Sequence, residues 1–315
     1  MLKTNKNINL HEPIFKGNEK KYLIDCLKST YVSTFGKYLK LFEKKIKSFT
    51  NSKNVVLTNS GTSALHLALK SLNIQTNHEV IVPSVTFIAP INTVMYNNSI
   101  PIFIGCDKYY NIDPEKVIEF IKKKTIFKNN QTINLKTKRI ISALIIVHVF
   151  GNAVLLDNLI TLCKKRKILI IEDASEALGT FYKSGKYKGK HVGTVANIGC
   201  ISFNGNKILT SSSGGAILTN NKVLSNKCIY LSTQSKDDKL FFRHNNIGFN
   251  YRMTNLSAAL GLAQLEQISF FLDKKYEIYK HYVKVFQNST SFKILSSPPY
   301  SQSNYWLNIL IIKNL

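Results

Sequence analysis

Short apolar runs of strand length recur along this chain, and segments with helical periodicity lie between them. Residues 54–57, the part of HEVIVPSVTF (78–87) that ends at Pro83, 100–104, 140–150, the run from Lys167 to Asp173, and 198–203 read as strands. Residues 18–29 with Asn18 as N-cap, a segment opening at Ser60, 114–122 with Asp113 as cap, 155–164 and 256–265 read as helices. Residues 123–139 are polar and basic and read as a loop. This alternation predicts an α/β fold, a mostly parallel sheet with helices on both faces. At 315 residues the chain can build one large domain of this kind plus a smaller piece.

In such sheets ligands bind at the carboxyl ends of the strands. Gly61, Phe87, Asp173 and Ser202 all fall at or within a few residues of a predicted strand end. The strand at 54–57 runs into Ser60-Gly61-Thr62-Ser63 and then a helix. Free backbone N–H groups and the positive end of the helix dipole make that turn an anion site, with Thr62 and Ser63 adding hydroxyls, although similar turns also serve as plain caps. Asp173 closes its apolar run, and Lys207 ends the loop segment Ser202-Phe203-Asn204-Gly205-Asn206-Lys207. A strand-end carboxylate and a loop lysine among Gly, Asn and Ser are what pyridoxal 5'-phosphate (PLP) needs. The lysine amine attaches the cofactor, and the carboxylate keeps the pyridine nitrogen protonated.

The stretch 168–221 resembles the catalytic core of the DegT/DnrJ/EryC1/StrS sugar aminotransferases, PLP enzymes of fold type I (the aspartate aminotransferase fold). The likeness rests on Glu172-Asp173-Ala174-Ser175-Glu176-Ala177-Leu178-Gly179 and on Ser202 to Lys207. Further matches are Tyr31 to Lys37 with Phe42-Glu43, and NIGFNYRMTNLSAALGLAQLEQ (246–267), so the resemblance covers about residues 10–312. It implies a mixed, mainly parallel seven-stranded sheet followed by a C-terminal small domain. It implies that Lys207 attaches PLP and that Asp173 faces the ring nitrogen. Gly61, Thr62, Ser63 and Ser202 would hold the phosphate, and Phe87, otherwise a core residue, would stack on the ring. Glu176 would approach the phenolic oxygen, unless it is a helix-surface carboxylate. Asn250, with Arg252 second, would reach the phosphate of a neighbouring subunit, which implies a homodimer with shared sites.

The implied reaction is transfer of an amino group from glutamate to a keto carbon of a nucleotide-linked sugar. Lys207 argues against the branch that carries His at this position and dehydrates its substrate. The motif from Leu10 (LHEPIFKGNEKKYL), with Glu-Asp-Ala-x-Glu and Ser-Phe-Asn-Gly-Asn-Lys, resembles the LegC-type branch. Those enzymes aminate C4 of a UDP-linked 2-acetamido-4-keto-6-deoxyhexose for legionaminic-type nonulosonic acids and surface polysaccharide. Two departures stand out. Relatives usually follow the lysine with Thr-Thr-Gly-(Glu/Gly)-Gly-Gly, whereas here Thr210-Ser211-Ser212-Ser213-Gly214-Gly215 places serines where a positive φ would strain them. Residues 305–312 read as the first strand of the small domain, beyond which relatives continue. The expected organisation is therefore an arm (1–50), a PLP-binding domain (51–245) and an incomplete small domain (246–315), with a catalytically impaired remnant as the alternative reading.

Composition narrows the other classes. The net charge of +25 invites a nucleic-acid reading, but the lysines are spread along the chain. The tightest clusters, 122–124 and 164–167, fall at predicted helix ends, where they favour the dipole. No nucleic-acid motif is present, and nucleic acid is discounted as the partner. Five dispersed cysteines without a C-x-x-C pair fit a reducing cytoplasm, and no metal site is expected. The longest apolar run, 140–147, is interrupted at Ser142 and is far short of the roughly 20 residues of a membrane helix. The N-terminal segment lacks the apolar core of a secretory signal. A cytoplasmic enzyme is expected.

Overall fold

The computed structural model describes residues 9–238 and 240–312. Seven strands form one sheet: β1 (Asn54–Thr58), β2 (Glu79–Pro83), β3 (Ile100–Ile104), β4 (Ile141–Val147), β5 (Leu169–Asp173), β6 (Ile198–Ser202) and β7 (Gly215–Thr219). Their spatial order is β1-β7-β6-β5-β4-β2-β3. The pairs β3/β2, β2/β4, β4/β5 and β5/β6 are parallel, and only β7 runs against its neighbours β6 and β1. The carboxyl ends of β1, β2, β4, β5 and β6 therefore share one edge.

The two-residue period of the strands divides their side chains between two cores. Leu57, Ile81, Leu144, Ile146, Ile170 and Ile201 pack on one face with Tyr38, Phe42 and Ile46 of α2 (Lys37–Thr50). Val56, Val80, Val82, Ile145, Ile171 and Cys200 pack on the other with Leu65 and Leu69 of α3 (Gly61–Ser71). Runs such as Ile141–Val147 are apolar without alternation because both faces are covered. Among the described residues six further helices lie in sequence between and after the strands, and a short one precedes α2. A glycine fixes one close approach: a Cβ on Gly261, in the helix Asn255–Glu266, would lie 2.6 Å from Cζ of Phe42.

The structure adds strand β7 and the helices Ala89–Tyr96, Lys222–Ser232 and Ile268–Phe286, which the sequence reading did not name, and it departs from that reading in four of the places it did name. Residues 123–139 hold a β-hairpin, Thr125–Lys128 against Gln131–Asn134. Its turn is Asn129-Asn130, both at positive φ (50° and 60°), a conformation that Asn tolerates and that joins strands in two residues. Asn18 precedes the first helix, Glu19–Lys28, but its side chain donates to Glu266 and caps nothing, while Glu19 itself accepts the Gly17 N–H at 2.7 Å. The strand expected through 150 ends at Val147, because Phe150 (φ 56°) and Gly151 (φ 84°) turn the chain. The strand expected over 305–312 is confined to Leu310–Ile312, paired with Phe292–Ile294, and Tyr305 and Trp306 lie outside it. Asp113 does cap its helix, accepting the Glu115 and Lys116 N–H groups at 3.0 and 3.4 Å. The lysines 122–124 and 164–165 occupy the last turns of their helices, as the dipole favours.

Two buried histidines tie this packing to pH. His191 is 1% exposed, its Nε2 accepts the Gly179 N–H at 2.9 Å, and its Nδ1 bonds the Val192 carbonyl. Protonating Nε2 would set two donors face to face. Burial lowers both His191 and His66 from 6.5 to about 4. A depressed folded-state pKa gives stability that is complete above 6.5 and is lost as pH falls toward 4. We expect the two histidines to lower the stability, and with it the melting temperature, as pH falls across that window. In His191→Gln the acid limb should flatten. Parallel thermal-melt curves for the two proteins from pH 8 to 4 would remove His191 from this account.

Candidate active site

β5 ends in two carboxylates that the strand turns to opposite faces. Glu172 is fully buried, and each of its oxygens is used twice. Oε1 accepts the Val195 and Ala196 N–H groups at 2.8 and 2.6 Å, and Oε2 accepts the Gly193 N–H at 2.8 Å and His148 Nε2 at 3.1 Å. His148 Nδ1 in turn accepts the Val154 N–H at 3.1 Å, so the proton sits on Nε2. Burial pushes the Glu172 carboxyl up, and these donors outweigh it and hold the carboxyl below its usual range. Asp173 is treated differently. It is 4% exposed, accepts the Ser175 N–H at 3.0 Å, and makes no ion pair among the described residues. Burial leaves it raised, against the opposing pull of Ser175 and Lys207.

Asp173 opens onto a cavity of about 200 Å³ at the carboxyl edge of the sheet, shared with Gly61, Thr62, Phe87, Glu176, Ser202, Lys207 and Trp306. The N-terminus of α3 forms one wall. Ser60 caps it, accepting the Ser63 N–H at 3.0 Å. Gly61 sits tight against β6: a Cβ there would lie 2.8 Å from Ser202 Cβ and 3.3 Å from Ser175 Oγ. Thr62 and Ser202 line the cavity, whereas the Ser63 hydroxyl turns away to Asn59 Oδ1 at 2.6 Å and is not among the lining residues. Phe87 stands 70% exposed at the mouth. Beside it, Thr86 Oγ1 is buried with no partner among the described residues.

Glu176 is 8% exposed and accepts the Phe150 N–H at 2.7 Å. It is a buried cavity residue rather than a helix-surface carboxylate, and burial raises its pKa against the opposing charge of Lys207. Lys207 lowers its own pKa by burial, with Glu176 and then Asp173 pulling the other way. Asn250 is exposed and lies outside the cavity, its carbonyl accepting Asn59 Nδ2 at 3.3 Å. Arg252 lies 3.8 Å from Glu43 Oε1 within this chain.

The sequence reading did not assign Ser175, Thr86 or Trp306 to the site. Trp306 is 7% exposed, and its ring centroid lies 4.1 Å from Lys207 Nζ. Its indole N–H donates to the Asn206 carbonyl at 2.7 Å. Asn304 steadies it, accepting the Trp306 N–H at 3.0 Å while donating to the Glu176 and Leu178 carbonyls at 2.9 Å. Gly151 makes room, since a Cβ there would come within 1.8 Å of Asn304 Oδ1. No motif flags Trp306, which lies 100 residues beyond Asn206 in the chain.

These residues fit PLP. A buried carboxylate without an ion-pair partner suits a protonated ring nitrogen, and a capped helix N-terminus with Gly61, Thr62 and Ser202 suits a phosphate. A buried, suppressed lysine amine suits attachment.

The family model for DegT/DnrJ/EryC1/StrS aminotransferases matches residues 13–314. GDP-perosamine synthase of Escherichia coli O157:H7 is 39% identical over 279 residues, 89% of this chain and 71% of that protein. UDP-4-amino-4,6-dideoxy-N-acetyl-beta-L-altrosamine transaminase of Campylobacter jejuni serotype O:23/36 is 32% identical, covering 89% and 70%. The solved structure of Helicobacter pylori PseC, an aminotransferase involved in pseudoaminic acid biosynthesis, superposes with a TM-score of 0.85 at 27% identity, over 98% of this chain and 78% of that one. The chain belongs to the DegT/DnrJ/EryC1/StrS aminotransferase family. It is thus a PLP-dependent sugar aminotransferase of fold type I.

The serine-rich loop after Lys207 contains the strain that the sequence suggests. Ser212 sits at φ 70°, with its N–H on Thr210 Oγ1 at 2.9 Å, and Gly214 is kept where a Cβ would meet Ser211 Oγ at 2.4 Å. The Ser212 side chain is exposed, and the bond it leaves behind belongs to the backbone. Ser212→Gly should therefore stabilise the protein by about 1 kcal/mol. The urea midpoint reads this out, and a lower midpoint would mean that the turn bears no strain.

Proposed function

We propose that this protein transfers the amino group of glutamate to C4 of a nucleotide-linked 4-keto-6-deoxyhexose. The observation that carries the reading is the convergence of Lys207, Asp173 and Glu176 on one cavity beside the capped start of α3. When bound there, PLP supplies an electron sink for the bond broken at the amino-bearing carbon. Asp173 holds the proton on the ring nitrogen. Lys207, whose pKa burial lowers, would take the proton from Cα of glutamate and later deliver one to C4 of the sugar. Gly61, Thr62 and Ser202 receive the phosphate, with Ser63 closing the cap beneath them. Phe87 covers one ring face, and Glu176 approaches the phenolic oxygen.

The site is completed across a homodimer, in which Asn250 serves the phosphate of the partner. Its exposure and its distance from its own cavity support that role. The names of relatives bear on the sugar. One relative is named for a GDP-linked product and another for a UDP-linked N-acetylated one. The motifs of the LegC-type branch favour UDP-2-acetamido-4-keto-6-deoxyhexose, whereas the 39% relative favours a GDP-linked sugar. Either sugar supports a role in surface polysaccharide or nonulosonic acid synthesis, a reading that goes with a cytoplasmic enzyme. Among the described residues no helix is long and apolar enough to cross a membrane.

Purified protein mixed with PLP should show a visible absorbance band that glutamate discharges and that the correct 4-keto sugar nucleotide restores. Lys207→Ala should lose the amino-transfer rate by about 10³-fold or more. Trying UDP- and GDP-linked sugars in the second step names the substrate. A band that glutamate leaves untouched would instead identify an impaired remnant.

A further inference from the structure

Behind Lys207 lies a second cavity, of about 400 Å³, between the arm at 9–14, the lysine loop and α9 (Ile268–Phe286); His11, Lys207 and Lys275 all line it. Lys275 is half-buried and makes no ion pair among the described residues. Its ammonium is committed to two lone pairs instead: Nζ donates to the Trp306 carbonyl at 3.1 Å and meets His11 Nδ1 at 3.2 Å. Trp306 is in turn the residue whose ring lies on the Lys207 amine.

We propose that Lys275 is a positioning residue for the catalytic lysine: with His11 it clamps the Trp306 backbone so that the indole face rests on Lys207 Nζ. The parts agree chemically. Burial, then the charge of Lys275, lowers His11 to about 4, so Nδ1 stays an acceptor at neutral pH. Burial lowers Lys275 as well, and two acceptors are what an ammonium at such a site requires. The indole is fixed at three points, by Lys275 at its carbonyl, Asn304 at its N–H and Asn206 at its ring nitrogen. Only the first comes from outside the two segments that carry the site. An aromatic face favours the ammonium form of the amine that it covers. The clamp thereby opposes the burial that lowers Lys207, alongside Glu176 and Asp173, while the nearby His11 remains neutral.

This inference rests on Lys207 being the reacting amine, but its first test needs neither cofactor nor substrate. Trp306 is the only tryptophan in the chain, so indole emission, excited beyond the neutral-tyrosine band, comes from this residue, and Lys207→Met serves as the control for the titration of the 15 tyrosines. In cofactor-free protein, emission followed from pH 7 to 11 should show a step that is absent in Lys207→Met. In Lys275→Met the step should lose more than half its amplitude, and its midpoint should fall by about half a pH unit or more. In the PLP-loaded protein the rate of amino transfer from glutamate should fall about tenfold with KM little changed. Lys275→Arg, which can reach the same two acceptors, should restore both. A Lys275→Met protein with an unaltered step and rate would overturn the proposal. So would an Arg variant that restores thermal stability without restoring the step. If Lys275→Met does not fold, His11→Ala decides: a weakened step upholds the clamp, and an unchanged one ends it. Neither result bears on whether glutamate discharges the visible band, so the clamp can fail while the aminotransferase reading stands.

Discussion

A carboxylate leaves water only if something takes the place of its hydration, and β5 ends in two of them. At Glu172 the replacement is complete, with three backbone amides and one imidazole on two oxygens. Those bonds bind the chain at 193–196 to the strand end, and His148 carries the linkage on to the turn at Val154. At Asp173 the replacement is partial. The strand period turns it toward α3, where Ser175 satisfies one oxygen and burial raises the pKa. One residue of register thus separates a structural anchor from a reactive carboxylate. The saturation of the first makes the under-satisfaction of the second tolerable, because Glu172 fixes the strand end whatever Asp173 binds.

The single antiparallel strand has a similar consequence. β7 begins where β1 and β6 end, pairing Gly215 with both Thr58 and Ser202. The loop after Lys207 is therefore delivered to the same edge as the start of α3. A Cβ on Gly215 would lie 2.5 Å from the Ser60 carbonyl, so the glycine lets the lysine loop and the helix cap touch. The capped start of α3 and the lysine, far apart in sequence, become neighbours through this pairing rather than through any local motif.

What the sequence made legible follows from this. Six of the seven strands of the main sheet were readable because strands buried on both faces are uninterrupted apolar runs, as in Leu144-Ile145-Ile146-Val147, whereas β7, which opens on a glycine, was not. Asp173, Gly61 and Ser202 were readable because strand ends are. The Asn129-Asn130 hairpin was hidden by its composition, since its buried positions are the polar Thr125, Thr132 and Asn134 while Ile126 and Phe127 are exposed, which removes the apolar alternation that marks a sheet. Asn18 misled because its amide found Glu266, 248 residues away, in place of its own helix. Ser63 belongs to a family motif, yet its hydroxyl is drawn to Asn59 by a short local bond. Trp306 was invisible in its role because indole reads as core, and only the fold shows an amine against its face.

The electrostatics of the cavity are best understood as one desolvation acting on groups of opposite sign. Burial raises Asp173 and Glu176 and lowers Lys207, each toward its neutral form. Their mutual attraction opposes this, so the three sit closer to their protonation boundaries than any would in water. Such a balance can be moved by small changes in what each group touches. Bringing a cationic ring nitrogen to Asp173 would favour its ionised form and hold the charge there. Taking an aromatic face from Lys207 would favour the free amine. The cavity therefore acts as a set of proton donors and acceptors whose order of ionisation depends on what enters. A reaction that moves one proton between two carbons in successive half-turns requires that property of its lysine.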